Sequence, residues 1–399
     1  MNRYLEYIYS TWRRLKGPIN KYKVGDEQEQ KAILVVCRHP LGDTVLETPF
    51  IRELRRNYPE HWITVICSPM NKDLFVHCPY VDELIPYDDL VKNNYFRGNY
   101  IKSYDFVRKQ LTNRKYEIGI APSTCLSSII DAWIIYLAGC QRRISYSEVT
   151  NFSNHHEYMG VYDNYFTDII PYEGIKHEVL YNLNIISYLG RDIYNDALEL
   201  WTSIEDKEQA CSLFEDEEIS QDKLKIIVNL STSAPSKDWP VYRYIEVAKK
   251  LSNEVKVEYL LIGAGATAAR YSEMFKEKIP WAHDFTNKTT ITQMIEIIRD
   301  CDVYIGGDTG PAHIAAAFKL DGLVIYKVAK NIQNDVENFA KRLYPWQSPM
   351  KIIQPENTFP GCENGCVKDK PHCILQISTE QVYNVAYSII NKINKRDNM

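Results

Sequence analysis

VYIGGDTGPAHIAAAF, residues 303–318, reads as a buried strand, a tight glycine turn and the start of a helix. Val303, Tyr304 and Ile305 are apolar on both faces, as a strand of a covered parallel sheet requires. Gly306 and Gly307 end the strand, and Pro311 falls at a first helical position, where its missing N–H costs nothing. Thr309 is expected to cap the helix with its hydroxyl. A helix starting at the carboxyl end of a parallel strand aims unused N–H groups and the positive end of its dipole at one spot, which suits an anion. His313, in the first turn, could add a ring N–H. Alone, the motif is equally a tight turn beside a core histidine, so its surroundings decide.

The same grammar opens the chain. AILVVC (residues 32–37) is a buried strand, His39-Pro40-Leu41-Gly42-Asp43 a turn, and residues 44–57 an amphipathic helix stopped at Pro59. A carboxylate at Asp43 could simply cap that helix, yet this edge of a parallel sheet is also where such domains place catalytic groups. Strands are predicted at 62–67, 83–87 and 117–121, with helices at 72–77, 126–138 and 177–189, the last closed by Gly190. The pattern weakens over 147–171, and an acidic helical stretch at 205–222 precedes a second series. That series has strands at 225–230, 257–262, 303–305 and 323–326 and helices at 242–251, 268–276, 291–299 and 311–318. Two arrays of alternating strand and helix imply two Rossmann-like domains with parallel sheets.

Composition agrees. The chain has 399 residues, enough for two domains, with 45% apolar and 25% charged residues. A net charge of −5 argues against a nucleic-acid binder. No apolar run reaches membrane-spanning length, and residues 1–24 lack the features of a signal peptide, so the expected location is the cytoplasm. Leu5, Ile8, Trp12 and Leu15 line one face of that segment among six basic residues. It reads either as a helix packed on the domain or as a basic amphipathic extension touching an anionic membrane face. Seven of the ten cysteines are scattered and read as small core residues; Cys362, Cys366 and Cys373 cluster, with His372 adjacent.

The ordered segments ILVVCRHPLGDTVLETPFIRELRRNYP (33–59), ITVICSPMNKDLFVHCPYVDELIPYD (63–88), KHEVLYNLNIISYLG (176–190), SAPSKDWPVYRYIEVAKKL (233–251) and CDVYIGGDTGPAHIAAAF (301–318) resemble glycosyltransferase family 9. These are the ADP-heptose:lipopolysaccharide heptosyltransferases. The resemblance implies an α/β GT-B fold, two Rossmann-like domains facing across a cleft. It implies an acceptor domain at 25–205, a nucleotide-sugar domain at 215–375, and a C-terminal helix at 376–399 returning to the first domain. It further implies inverting transfer without a required cofactor, from an ADP-sugar type donor to a glycan or glycolipid acceptor at the inner membrane face. Asp43 matches the family's general base, with Gly42 and Thr44 on the acceptor side. Lys237 matches its phosphate-binding lysine, and Asp308, Thr309, Gly310 and His313 its donor-binding turn.

Some features depart from that pattern. After the strand at 323–326 the chain runs into Lys327-Val328-Ala329-Lys330 and a polar insert, where many members have a Gly-Pro-Thr loop. Loops at 95–104 and 123–127 are the expected acceptor contacts. Three thiols and an imidazole would suit structural zinc or iron, although adjacent His372 and Cys373 are not expected to point inward together. Two alternatives keep the same fold: a nucleotide-sugar epimerase, which needs no acceptor, and a non-catalytic nucleotide-sugar-binding protein.

Overall fold

A computed structural model describes residues 31–88, 95–112, 114–122, 129–148, 161–171, 173–332, 338–363 and 370–397. Residues 1–24, Cys366 and residues 123–127, each singled out above, lie outside these. The chain divides into two compact units, Met1–Asp196 and Ala197–Met399.

The first unit runs β1 (Ala32–Cys37), α1 (Leu41–Leu46), α2 (Thr48–Asn57), β2 (Trp62–Cys67), α3 (Lys72–Phe75), β3 (Glu83–Pro86) and α4 (Tyr95–Gln110). It continues with β4 (Tyr116–Ala121), α5 (Ile129–Leu137), β5 (Arg142–Tyr146), β6 (Asp168–Ile170) and α6 (Glu178–Tyr188). Its strands lie in the order β3-β2-β1-β4-β5-β6, and every neighbouring pair is parallel. All six residues of β1 are buried, because this strand is central and covered on both faces. Residues 95–104, expected to be a loop, instead belong to α4, which packs beside α5. β6 falls where the apolar pattern faded, and β5 just before it; both are short, and β6 is an edge strand. Gly190, at φ 71°, ends α6 in the left-handed region as anticipated.

The second unit begins earlier than the sequence suggested. Its first helix, α7 (Ile204–Asp216), opens on a Ser203–Asp206 capping box. It then packs on a helix of the same unit: Thr292 donates to Asp206 (2.6 Å), and Thr202 hydrogen-bonds Glu296. The order continues β7 (Leu224–Asn229), α8 (Val241–Glu254), β8 (Val257–Ile262), α9 (Ala266–Lys278), β9 (His283–Asp284) and α10 (Ile291–Arg299). It closes with β10 (Val303–Gly307), α11 (Gly310–Ala317), β11 (Asp321–Ile325), α12 (Phe339–Arg342), β12 (Lys351–Ile353) and α13 (Thr379–Asp397). The strand order is β12-β11-β10-β7-β8-β9, again wholly parallel. Both sheets therefore reverse direction once, between the first and fourth strands of each unit, which is the dinucleotide-fold arrangement.

α13 buries Val382, Ala386, Ile389 and Ile390 in the second unit's core, along α8 and β11. Four apolar residues at helical spacing need a matching face, and α8 offers Val247, Ala248 and Leu251 in the same core. Ile390→Ala, at a wholly buried position, should therefore destabilise the second unit by about 2–4 kcal/mol. Urea unfolding followed by circular dichroism measures this, and a loss below about 0.5 kcal/mol, the surface range, would refute the packing.

Candidate functional site

β7 and β10 lie side by side at the reversal of the second sheet, so the loops leaving their carboxyl ends share one edge. The loop after β7 is fastened by Asp238, whose carboxylate accepts from the Thr232 backbone N–H (2.8 Å) and hydroxyl (2.9 Å). Lys237 ends the short 3-10 turn Pro235–Lys237 within that loop. One residue beyond Asp238, Trp239 is buried and its indole N–H donates to the Ile377 carbonyl (3.0 Å). The lysine is thus carried by a braced loop.

Asp308 follows β10 at the same edge. With Lys237, Ile325, Tyr326, Lys327 and Val328 it lines a small cavity. The Asp308 side chain is only 14% exposed, and burial pushes its carboxyl up to about 6; the Lys237 ammonium and Tyr326 hydroxyl offset only part of this. His313 is buried in the first turn of α11, its Nε2 3.8 Å from the Asp308 carboxylate. The two glycines are demanded by packing. A Cβ on Gly306 would lie 2.9 Å from that of Asn229 on β7, and one on Gly307 would lie 2.8 Å from the Thr232 methyl. Close approach of β10 to the β7 loop is what brings Asp308 beside Lys237.

One local expectation fails here. Thr309 does stand at the helix N-cap, but its hydroxyl makes no capping bond and contacts the Tyr304 hydroxyl (3.3 Å) instead. Tyr304 is wholly buried beneath the turn and offers a competing partner, so the first N–H groups of α11 are not capped by Thr309.

In the first unit, Asp43 lies in the first turn of α1, directly past the end of β1, and is half-buried. Its surroundings are unusually charged for an interior. His39 and Glu47 are both buried and in direct contact through Nδ1 and Oε1. Burial opposes charge on His39, but Glu47 outweighs it and the imidazole is pushed up to about 9. Arg38 pairs with Asp131 on α5 at 2.6 Å, with both side chains nearly inaccessible. Thr44, expected on the acceptor side, is instead completely buried. Its hydroxyl donates to the His39 (3.2 Å) and Pro40 (3.0 Å) carbonyls, bracing the turn. Asn71 completes the brace, donating to the His39 carbonyl at 2.6 Å. Gly42 remains half-buried beside Asp43.

Among the described residues, Cys362, His372 and Cys373 form a third constellation, their ligand atoms all within 4.8 Å of one another. The adjacent histidine and cysteine do converge, against expectation. His372 precedes a 3-10 turn at φ −148° and ψ −65°, so the chain bends between the two side chains. The His372 Nε2 lies 3.1 Å from the Cys362 sulfur, while its Nδ1 faces the Lys370 carbonyl at 2.9 Å. That carbonyl can only accept, which places the ring proton on Nδ1 and leaves Nε2 as a lone pair. The Phe359 N–H donates to the Cys373 sulfur (3.2 Å).

Sequence reading missed His39, Glu47, Arg38, Asp131 and Tyr326. For His39 and Glu47 a signal existed: two ionisable residues eight apart, each inside an otherwise apolar stretch. Arg38 and Asp131 are separated by 93 residues and left none.

Because the folded Asp308 carboxyl titrates near 6 rather than 3.8, its stabilising neutral form is fully present below 3.8 and is lost as pH rises through 6. Asp308→Asn should therefore raise stability relative to the parent above pH 6, with the gain vanishing towards pH 4. Denaturant unfolding across that range measures it. A gain independent of pH would mean the carboxylate is not strained by burial.

The family model for glycosyltransferase family 9 (heptosyltransferase) covers residues 106–349, more than half of the chain. Lipopolysaccharide heptosyltransferase 2 of Salmonella typhimurium is 23% identical over 305 residues, spanning 74% of this chain and 82% of the relative. Among solved structures, a family 9 glycosyltransferase from Veillonella parvula superposes with a TM-score of 0.70 at 19% identity, covering 92% of this chain and 99% of its own. The E. coli ADP-heptose lipopolysaccharide heptosyltransferase II gives 0.65 at 18% identity, covering 91% and 99%. These structures share the GT-B fold with this chain. The chain belongs to glycosyltransferase family 9 and is a glycosyltransferase.

Proposed function

We propose that this enzyme transfers a heptose from an ADP-sugar to a cell-surface glycan acceptor such as lipopolysaccharide core, by direct inversion and without a catalytic metal. The carrying observation is the Lys237–Asp308 pair at the reversal of the second sheet, next to the uncapped start of α11. A departing diphosphate needs that combination: a cation and backbone N–H groups where negative charge grows. The relatives named above are heptosyltransferases, which supports the choice of sugar.

In this reading the acceptor oxygen attacks the anomeric carbon as the bond from that carbon to the diphosphate oxygen breaks. Asp43 takes the proton of the acceptor hydroxyl, and Gly42 leaves room for the acceptor beside it. Lys237 meets the β-phosphate, and the turn of Asp308, Thr309, Gly310 and His313 holds the donor. Asp43→Asn should cut transfer from ADP-heptose to heptose-deficient lipopolysaccharide by about 10²–10⁴-fold. It should leave ADP affinity unchanged, and near-normal transfer would remove the base assignment. Lys237→Ala should weaken ADP binding by about 10–100-fold, the worth of a charge-assisted contact, and unchanged calorimetric affinity would exclude its role. ADP-heptose conversion without acceptor would favour an epimerase, and binding without any turnover a non-catalytic protein.

The same reading places the enzyme at the inner face of the cytoplasmic membrane, with residues 1–24 as the surface contact. None of the helices among the described residues is long and apolar enough to cross a membrane. It also gives Cys362, His372 and Cys373 a structural zinc or iron(II): two soft sulfurs and one imidazole lone pair suit those ions. Residues 354–359, leading to Cys362, hold the loop beside the donor turn. Gln354 donates to the Val328 carbonyl (2.9 Å), and the Thr358 N–H to Asn331 (2.8 Å). Purified protein should carry about one zinc or iron per chain, and Cys362→Ser should lose it and lower Tm. Elemental analysis finding neither metal would dismiss the site.

A further inference from the structure

We infer that His39, held as an imidazolium by Glu47, is the positioning residue for Asp43: it fixes the turn that carries the carboxylate and supplies the positive charge that keeps it ionised. The catalytic consequence rests on Asp43 being the base; the coupling itself does not.

The geometry is a bracket. His39 lies four residues before Asp43 and Glu47 four after, at the joint between α1 and α2. Their contact ties the two ends of the segment together, and neither side chain is more than 2% exposed. A carboxylate so deeply buried demands a cation, and the imidazole answers it. The His39 carbonyl is held from the other side by Thr44 and Asn71, so ring and backbone are both fixed. Among the described residues the His39 Nε2 has no hydrogen-bond partner, which leaves one N–H of the imidazolium unspent.

Glu47 contacts His39 directly, and the charges of Asp131 on α5 and of Asp43 add to its affinity for a proton. Arg38 is engaged by Asp131. The Cys37 thiol is pushed well above its usual range by burial and by Glu47, and stays neutral. Attraction is mutual: if Asp43 stabilises the imidazolium, the imidazolium stabilises the Asp43 carboxylate to the same extent.

The test is NMR titration of the full-length protein carrying labelled histidine and aspartate, paired with the pH profile of ADP release from ADP-heptose and heptose-deficient lipopolysaccharide. In the parent protein His39 should remain protonated past pH 8. Glu47→Gln keeps the shape and removes the charge, and should move the His39 midpoint well down from about 9, because burial is then largely unopposed. The alkaline limb of the pH profile should follow it. The double variant His39→Gln, Glu47→Gln avoids a lone buried charge. It should raise the Asp43 midpoint, shift the acid limb of transfer upwards, and lower kcat several-fold without changing KM for the donor. A purely structural pair would change stability alone. An Asp43 midpoint unmoved in the folded double variant, or His39 neutral at pH 7 in the parent, would overturn the inference. If Asp43→Asn keeps its transfer activity, the base reading falls while the measured coupling stands on its own.

Discussion

The meeting of Lys237 and Asp308 in the second unit depends on how closely β10 can approach the loop that leaves β7. Gly306 and Gly307 permit that approach, since a methyl group at either position would collide with Asn229 or Thr232. Once the two strand ends are in contact, Lys237 and Asp308 become neighbours and the carboxyl of Asp308 loses its water. The site is electrostatically strained for this reason: a carboxyl group kept dry beside a cation is costly until a ligand uses both. Stability is given up locally where binding needs it, the usual relation between a functional pocket and its scaffold.

The first unit solves a different problem with similar means. Asp43 must stay partly accessible, so its orientation cannot come from burial of its own side chain. It comes from below, through Thr44, Asn71 and the His39–Glu47 contact, all of which are buried. The exposed group is held by unexposed ones. Such support is what precise placement of a reacting group requires.

Much of this was legible in the sequence. The central strands β1, β2, β7, β8 and β10 are short apolar runs, because a strand covered on both faces has no polar positions to hide it. Asp43 and the Asp308 turn stand out because each follows such a strand, whereas Lys237 is singled out only through the family resemblance. The edge strands β6, β9 and β12 were invisible: two or three residues long, with one flank open, they carry no apolar period. Helix α4 was hidden by its aromatic and charged residues, which read as loop. The Arg38–Asp131 pair and the Tyr326 contact join residues distant in sequence, so only the folded sheet brings them together. The failed Thr309 cap has the same origin, since the competing Tyr304 hydroxyl is a tertiary neighbour that no local rule can see. The face of α8 that receives α13 is likewise set by tertiary packing, which the sequence does not spell out.

The packing around α13 has a consequence for the loop after β7. Trp239, two residues after Lys237, hydrogen-bonds the Ile377 carbonyl, and Arg243 of the following helix donates to the Leu375 carbonyl at 2.8 Å. The loop that carries Lys237 is therefore held by carbonyl groups far further along the chain, so a change around Leu375 and Ile377 reaches the lysine without touching it.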